Sequence, residues 1–194
     1  MQMKRYIVGV SGASGIILAI KLIEQLSSMQ HHVEVIFSSA AYQTLYYELG
    51  TKSLLSLIPE ENHIYIHQHR IKSIDSKLAS GSYHVDGTII IPCSMATIAA
   101  LSIGLGDNLL RRVADVALKE GRKLILVPRE TPLHTIHLEN LLKLSQTGAI
   151  IFPPMPMWYF KPQTVEDITN AIVGKILALL GIENNLEQVW TNPT

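Results

Sequence analysis

The chain is poor in the groups that most often announce a chemistry. One cysteine, Cys93, stands in 194 residues, which excludes an intrachain disulfide and leaves no thiolate cluster for zinc or iron–sulfur binding. Charge is sparse and balanced: 16 Lys plus Arg face 16 Asp plus Glu, and charged residues make up 16% of the chain where about 25% is usual. With no net field to gather a polyanion, nucleic acid is not an expected partner. Apolar runs such as GTIIIPC and KLILVP fall far short of the ~18 residues that a membrane span needs. The first apolar run ends in glycines rather than in a small-residue cleavage site, so the expected location is cytoplasmic. Met3 offers a second candidate start.

What is present points to a globular domain. A hydrophobic share of 47% is high for a lone monomer and predicts that part of the surface is buried between subunits. The length fits one domain over residues 1–194. Hydrophobic periodicity predicts strands at 6–10, 33–37, 87–91, 123–127 and 149–152, with a weaker one at 63–67. Helices are predicted at 15–29, 40–49, 95–103, 108–119, 134–146 and 165–180. Strands that alternate with helices imply a parallel sheet covered on both faces, a three-layer Rossmann-like (flavodoxin-like) α/β fold. Ligands of such sheets lie beyond the carboxyl ends of the strands, where the turns GASG, SSAA, PCS, PRE and PPMP emerge.

The stretch VGVSGASGI spaces its glycines as GxxGxxG, not as the dinucleotide fingerprint GxGxxG, and no acid holds the ribose position at the end of the second strand. Gly12, Ala13 and Ser14 bring backbone amides to a helix start, with Ser11 and Ser14 as added donors, an arrangement suited to phosphate. Close packing alone also explains the glycines. Hydroxyls at Ser38, Ser94 and Thr97 suit the phosphate and ribityl chain of flavin mononucleotide (FMN). Arg112 and Lys119, seven apart on one predicted helix, and Arg129 with Glu130 after a buried strand suggest a second anion site, against a bland alternative of solvated or intersubunit charge. Glu48 and Glu130 are candidate proton handlers, although Glu48 alone also reads as a surface carboxylate. Eight histidines form neither HExxH nor a zinc set, so no metal site is expected, and Cys93 reads as a buried strand end.

These segments, above all VSGASG and RRVADVALKEGRKLILVPRETPLHTIHLEN, resemble the UbiX/Pad-type flavin prenyltransferases within the homo-oligomeric FMN-binding flavoproteins, over about residues 4–190. The resemblance implies transfer of a dimethylallyl group from dimethylallyl monophosphate, or in some members the pyrophosphate, to N5 and C6 of reduced FMN, without a metal. The prenylated FMN serves a UbiD-type decarboxylase, and the assembly implied is a homododecamer. By the same resemblance Ser14 lies beside flavin N5 and the substrate phosphate, Ser38, Ser94, Thr97 and Arg112 contact FMN, and Glu48 lies near the prenyl site. Lys119, Arg129 and Tyr159 grip the phosphate, Arg129 also contacting FMN, Glu130 manages protons, and Trp190, in a tail of about residues 182–194, closes the pocket. Lys175 stands where the family usually offers arginine, and Ser39 where relatives often have lysine. Two alternatives stay open: an FMN-dependent cysteine-type decarboxylase, and an FMN-binding protein without catalysis.

Overall fold

The computed structural model describes residues 2–188 and separates into two compact units, residues 1–153 and 154–194. In the first unit six strands form one parallel sheet in the order β3-β2-β1-β4-β5-β6. They are β1 (Arg5–Val10), β2 (His32–Phe37), β3 (Ile66–Arg70), β4 (Gly87–Cys93), β5 (Leu124–Pro128) and β6 (Ile150–Ile151). The helices of this unit are α1 (Ile16–Ser28), α2 (Ser39–Leu49), α3 (Met95–Ser102), α4 (Leu109–Lys119) and α5 (Thr135–Gln146). The order reverses between β1 and β4, and a crevice opens at such a reversal because the two neighbouring crossovers leave in opposite directions.

Alternation along the strands assigns each side chain to a layer. Ile7, Ile36, Ile90, Leu124 and Leu126 share a core with Leu110, Val113 and Ala117 of α4 and Ile98 and Leu101 of α3. The opposite face of the central strands, Tyr6, Val8, Val33, Val35, Ile89 and Ile91, is likewise buried, and α1 packs against β1, β2 and β4. The three-layer α/β arrangement expected from the alternating pattern is thus the one observed, with α5 resting on α3. The burial of Tyr6 between layers, with Asp86 near by, pushes its hydroxyl up to about 12.

Differences from the periodicity lie mainly at an edge. The strand expected at 63–67 is a 3₁₀ turn over Glu60–Tyr65 followed by β3. Its sequence IHQHR buries only Ile66 fully, so an apolar pattern could not locate it. The β4 strand continues through Pro92 and Cys93, and its ladder with β5 shifts register between Ile90 and Cys93, where proline supplies no N–H. Cys93 is fully buried, as its strand-end position suggested, and burial pushes its thiol far up.

The second unit carries α6 (Val165–Leu179), which begins with a capping box: Thr164 Oγ1 accepts from Asp167 N–H while the Asp167 carboxylate accepts from Thr164 N–H. The backbone N–H groups of Gln163 and Thr164, both donating to it at 2.9 Å, hold the Asp167 carboxyl below its ordinary range. Among the described residues no helix is long and apolar enough to cross a membrane.

Candidate functional site

At the β1/β4 crevice, Ser11, Gly12, Ser38, Ala40, Ser94, Ala96, Thr97, Asn108, Leu110 and Arg111 surround a cleft of about 260 Å³. Backbone geometry brings them together. Gly12 lies so close to α2 that a Cβ built on it would stand 2.4 Å from the Ala40 Cβ, so only glycine lets the first turn meet the second. Ser38 caps α2 by accepting from Ala41 N–H at 3.0 Å. Ser94 caps α3, accepts from Thr97 N–H at 3.3 Å and lies 3.0 Å from the Thr97 hydroxyl. Asn108 caps α4 through Arg111 N–H at 3.1 Å.

Three helix N-termini, those of α2, α3 and α4, three hydroxyls and the Arg111 side chain therefore edge one cleft. Unpaired N–H groups at helix starts and a guanidinium favour an anion, and hydroxyls favour a polyol. The residues present fit a ribityl phosphate. Of the residues nominated from the sequence, Gly12, Ser38, Ser94 and Thr97 come together at this cleft. Sequence reasoning passed over Asn108, whose position just before an apolar-periodic helix was the available signal, and it weighed Arg112 above Arg111. Both arginines are paired: Arg111 Nη1 donates to the two Asp107 carboxylate oxygens at 2.8 and 2.9 Å, and Arg112 meets Asp115 at 2.6 Å on the same helix.

At the glycine turn a side chain meets the first helix donors. The N–H groups of Gly15 and Ile16, the first donors of α1, point to the Glu48 carboxylate at 2.9–3.1 Å. The anion at this helix start is therefore a side chain of α2, while the starts of α2, α3 and α4 border the cleft. Ser11 does not offer a free donor either. It is buried, donates to the Pro92 carbonyl at 2.8 Å and accepts from Ser94 N–H at 2.7 Å, tying β1 to β4. Ala13 is buried, whereas Ser14 is exposed between the two anchored points.

The remaining charged candidates are spread out. Arg129 and Glu130 follow β5 at the carboxyl end of the sheet. The Arg129 N–H donates to the Cys93 carbonyl, both side chains are exposed, and the Glu130 carboxylate accepts from Thr131 N–H at 3.0 Å. Lys119 ends α4, about 12 Å along the helix axis from Arg111, and pairs with Glu120 beside the loop at Gly81. Because α4 leads into the start of β5, Lys119 stands at the amino edge of the sheet, away from Glu130. In the second unit, Lys175 Nζ donates to Glu187 Oε1 at 3.0 Å and the Tyr159 hydroxyl to the Gln188 carbonyl. Trp190 lies outside the described residues. Among the described residues no group of three or more His, Cys, Asp or Glu is arranged to hold a metal ion.

The Flavoprotein family model matches residues 1–177. The flavin prenyltransferase UbiX of Chlamydia pneumoniae is 70% identical over 191 residues, 98% of this chain and 100% of its own. The crystal structure of AnUbiX in complex with FMN and dimethylallyl pyrophosphate superposes with a TM-score of 0.91 at 36% identity, covering 100% of both chains. A dodecameric FMN-dependent Ubix-like decarboxylase from Escherichia coli O157:H7 does so with a TM-score of 0.89 at 39% identity, over 97% of this chain and 100% of that one. A cleft at the strand-order switch, edged by the residue types that the sequence resemblance requires, and similarity along the whole chain lead to one assignment: the chain belongs to the Flavoprotein family, in its UbiX/Pad group.

Proposed function

We propose that the protein is a flavin prenyltransferase that joins the dimethylallyl group of dimethylallyl monophosphate to N5 and C6 of reduced FMN. The carrying observation is the convergence of Ser38, Ser94, Thr97, Asn108 and Arg111 on one cleft, in a chain 70% identical to a UbiX flavin prenyltransferase. The FMN phosphate is assigned to the cleft that the α2, α3 and α4 starts border with Arg111, because Glu48 already fills the α1 start. Ser14 then faces the flavin edge from a turn held at Gly15, with Gly12, Ala13 and Arg112 on the flavin side.

The bound reduced flavin supplies the nucleophilic atoms. The protein's part is to make the allyl phosphate ionise and to keep water from the resulting cation. Lys119, Arg129, Lys175 and Tyr159 neutralise charge on the departing phosphate. Glu130, or an oxygen of that phosphate, takes the proton released as the second bond closes. Residues 1–194, including the tail from about residue 182 with Trp190, serve this reaction as one functional domain.

Lys119 and Glu130 stand at opposite edges of the sheet in one chain, so a complete phosphate grip draws on more than one copy. Exposed apolar residues of α5, among them Ile136 at 63% and Leu142 at 59%, support burial between copies. The assembly assigned is a homododecamer in the cytoplasm, and the product is used by a UbiD-type decarboxylase.

The test is anaerobic incubation of the purified protein with reduced FMN and dimethylallyl monophosphate, followed by mass spectrometry of the released flavin. A flavin heavier by one isoprene unit is the expected result. Unchanged flavin with both the monophosphate and the pyrophosphate, on protein that retains FMN, overturns the reading.

A further inference from the structure

Two groups of the second unit that the proposed reaction assigns to the substrate phosphate are already engaged by consecutive residues near the chain's end. Glu187 offers a carboxylate oxygen to Lys175 at 3.0 Å, and Gln188 offers its carbonyl to the Tyr159 hydroxyl. An ammonium and a phenol thus face two oxygen acceptors, the kind of pair that a phosphate monoester would present to them.

The segment is built into this position. Asn184 Oδ1 accepts from the N–H groups of Leu186 and Glu187 at 3.0 and 2.9 Å, and Asn184 Nδ2 donates to the Gly174 carbonyl on α6 at 3.1 Å. A Cβ on Gly174 would lie 2.4 Å from Glu187 N, so the bare residue next to Lys175 is what admits the segment against the helix. A cavity of about 370 Å³ lined by Phe160, Pro162, Asn170 and Asn185 flanks Leu186 and Gln188. Displacement of the segment therefore meets space.

We propose that Glu187 is a specificity-determining residue: an internal competitor that holds Lys175 until a phosphate dianion displaces it. The inference rests on the assignment of Lys175 to the substrate phosphate. A carboxylate tethered in the same chain acts at high effective concentration, so a dilute monoanion competes poorly while a doubly charged phosphate succeeds. The lysine here is matched by an acid twelve residues on, and the pair sets affinity as a difference between two anions.

The experiment uses the FMN-loaded oligomer and measures the KM of dimethylallyl monophosphate and the inhibition constant of inorganic phosphate. Wild type, Glu187→Gln, Lys175→Gln and the double variant are compared, with FMN absorbance as the check on folding. Glu187→Gln is expected to lower both constants about two- to five-fold, the range of one exposed ion pair, with kcat unchanged. In the Lys175→Gln background the same change is expected to do nothing. If Lys175→Gln weakens phosphate binding while Glu187→Gln leaves it unchanged or weaker, the competitor role is overturned and the phosphate assignment stands. If Lys175→Gln itself has no effect, the underlying assignment fails instead.

Discussion

Glu48 illustrates how one side chain can satisfy a feature that the sequence attributes to a ligand. Glycines before an apolar helix read as a phosphate cradle, and the N–H groups do point outward to an anion, but the anion is the Glu48 carboxylate on α2. Its three contacts join the ends of two helices and fix the turn that carries Ser14. Glu48→Ala is expected to cost about 1–2 kcal/mol, the value of a helix N-terminal acceptor bearing charge, with Glu48→Gln in between. Thermal unfolding of the FMN-free protein checks this. An unchanged midpoint accompanied by lost turnover would instead assign Glu48 to the chemistry alone. Composition and spacing could nominate Glu48 but not its partner, because the partner lies 32 residues away on another element. The hydroxyls of Ser38 and Ser94 were legible since each follows a buried strand at the helix-cap position, where fold and function ask for the same residue type, and Thr97 lies in the first turn that Ser94 caps.

At the level of elements, the weakest sequence signal hides the most concentrated polar network. Glu34 on β2 is 2% exposed and meets Arg5 of β1 at 3.3 Å, His69 of β3 at 2.6 Å and the Tyr83 hydroxyl at 3.2 Å. One carboxylate thus ties three neighbouring strands to the loop before β4. Burial alone would raise its pKa; the hydrogen bond and charge of His69, joined by His67 and the Tyr83 hydroxyl, outweigh burial and hold it below the ordinary 4.5. A carboxyl depressed by folding adds stability above its unfolded pKa and loses it as pH falls through the folded one. Glu34→Gln is therefore expected to be less stable than wild type at pH 7, with the difference closing as pH drops below about 4.5. Denaturant midpoints across that range decide it, and a gap that persists at low pH would mean that packing, not charge, is what Glu34 contributes. The same network explains why β3 was displaced in the sequence reading. Its register comes from pairing with β2 and from His69 on Glu34, whereas β1, β4 and β5 announce themselves by continuous β-branched or aliphatic runs.

For the whole molecule, the position of Lys119 follows from topology alone. A helix that precedes a parallel strand must end at the amino edge of the sheet, so the last residue of α4 is carried away from the cleft that its first turn borders. Spacing on one helix face placed Arg112 and Lys119 together, but a face is about 12 Å long between Arg111 and Lys119, and only the fold says which end reaches the ligand. If Lys119 acts in the phosphate grip, it acts at the site of another copy, while Glu130 acts at the carboxyl end of its own sheet. Lys119→Ala and Glu130→Gln are each expected to lose most prenyl transfer as pure oligomers. Mixed oligomers obtained by co-expression are expected to regain about a quarter of wild-type activity, since random assembly gives that share of sites an intact Lys119 from one copy and an intact Glu130 from another. The readout is prenylated flavin per site, with FMN content as the control for assembly. Mixed oligomers no more active than the parents would place both groups within a single chain's site, or remove one of them from it, and would return Lys119 to its pairing with Glu120 as a surface contact.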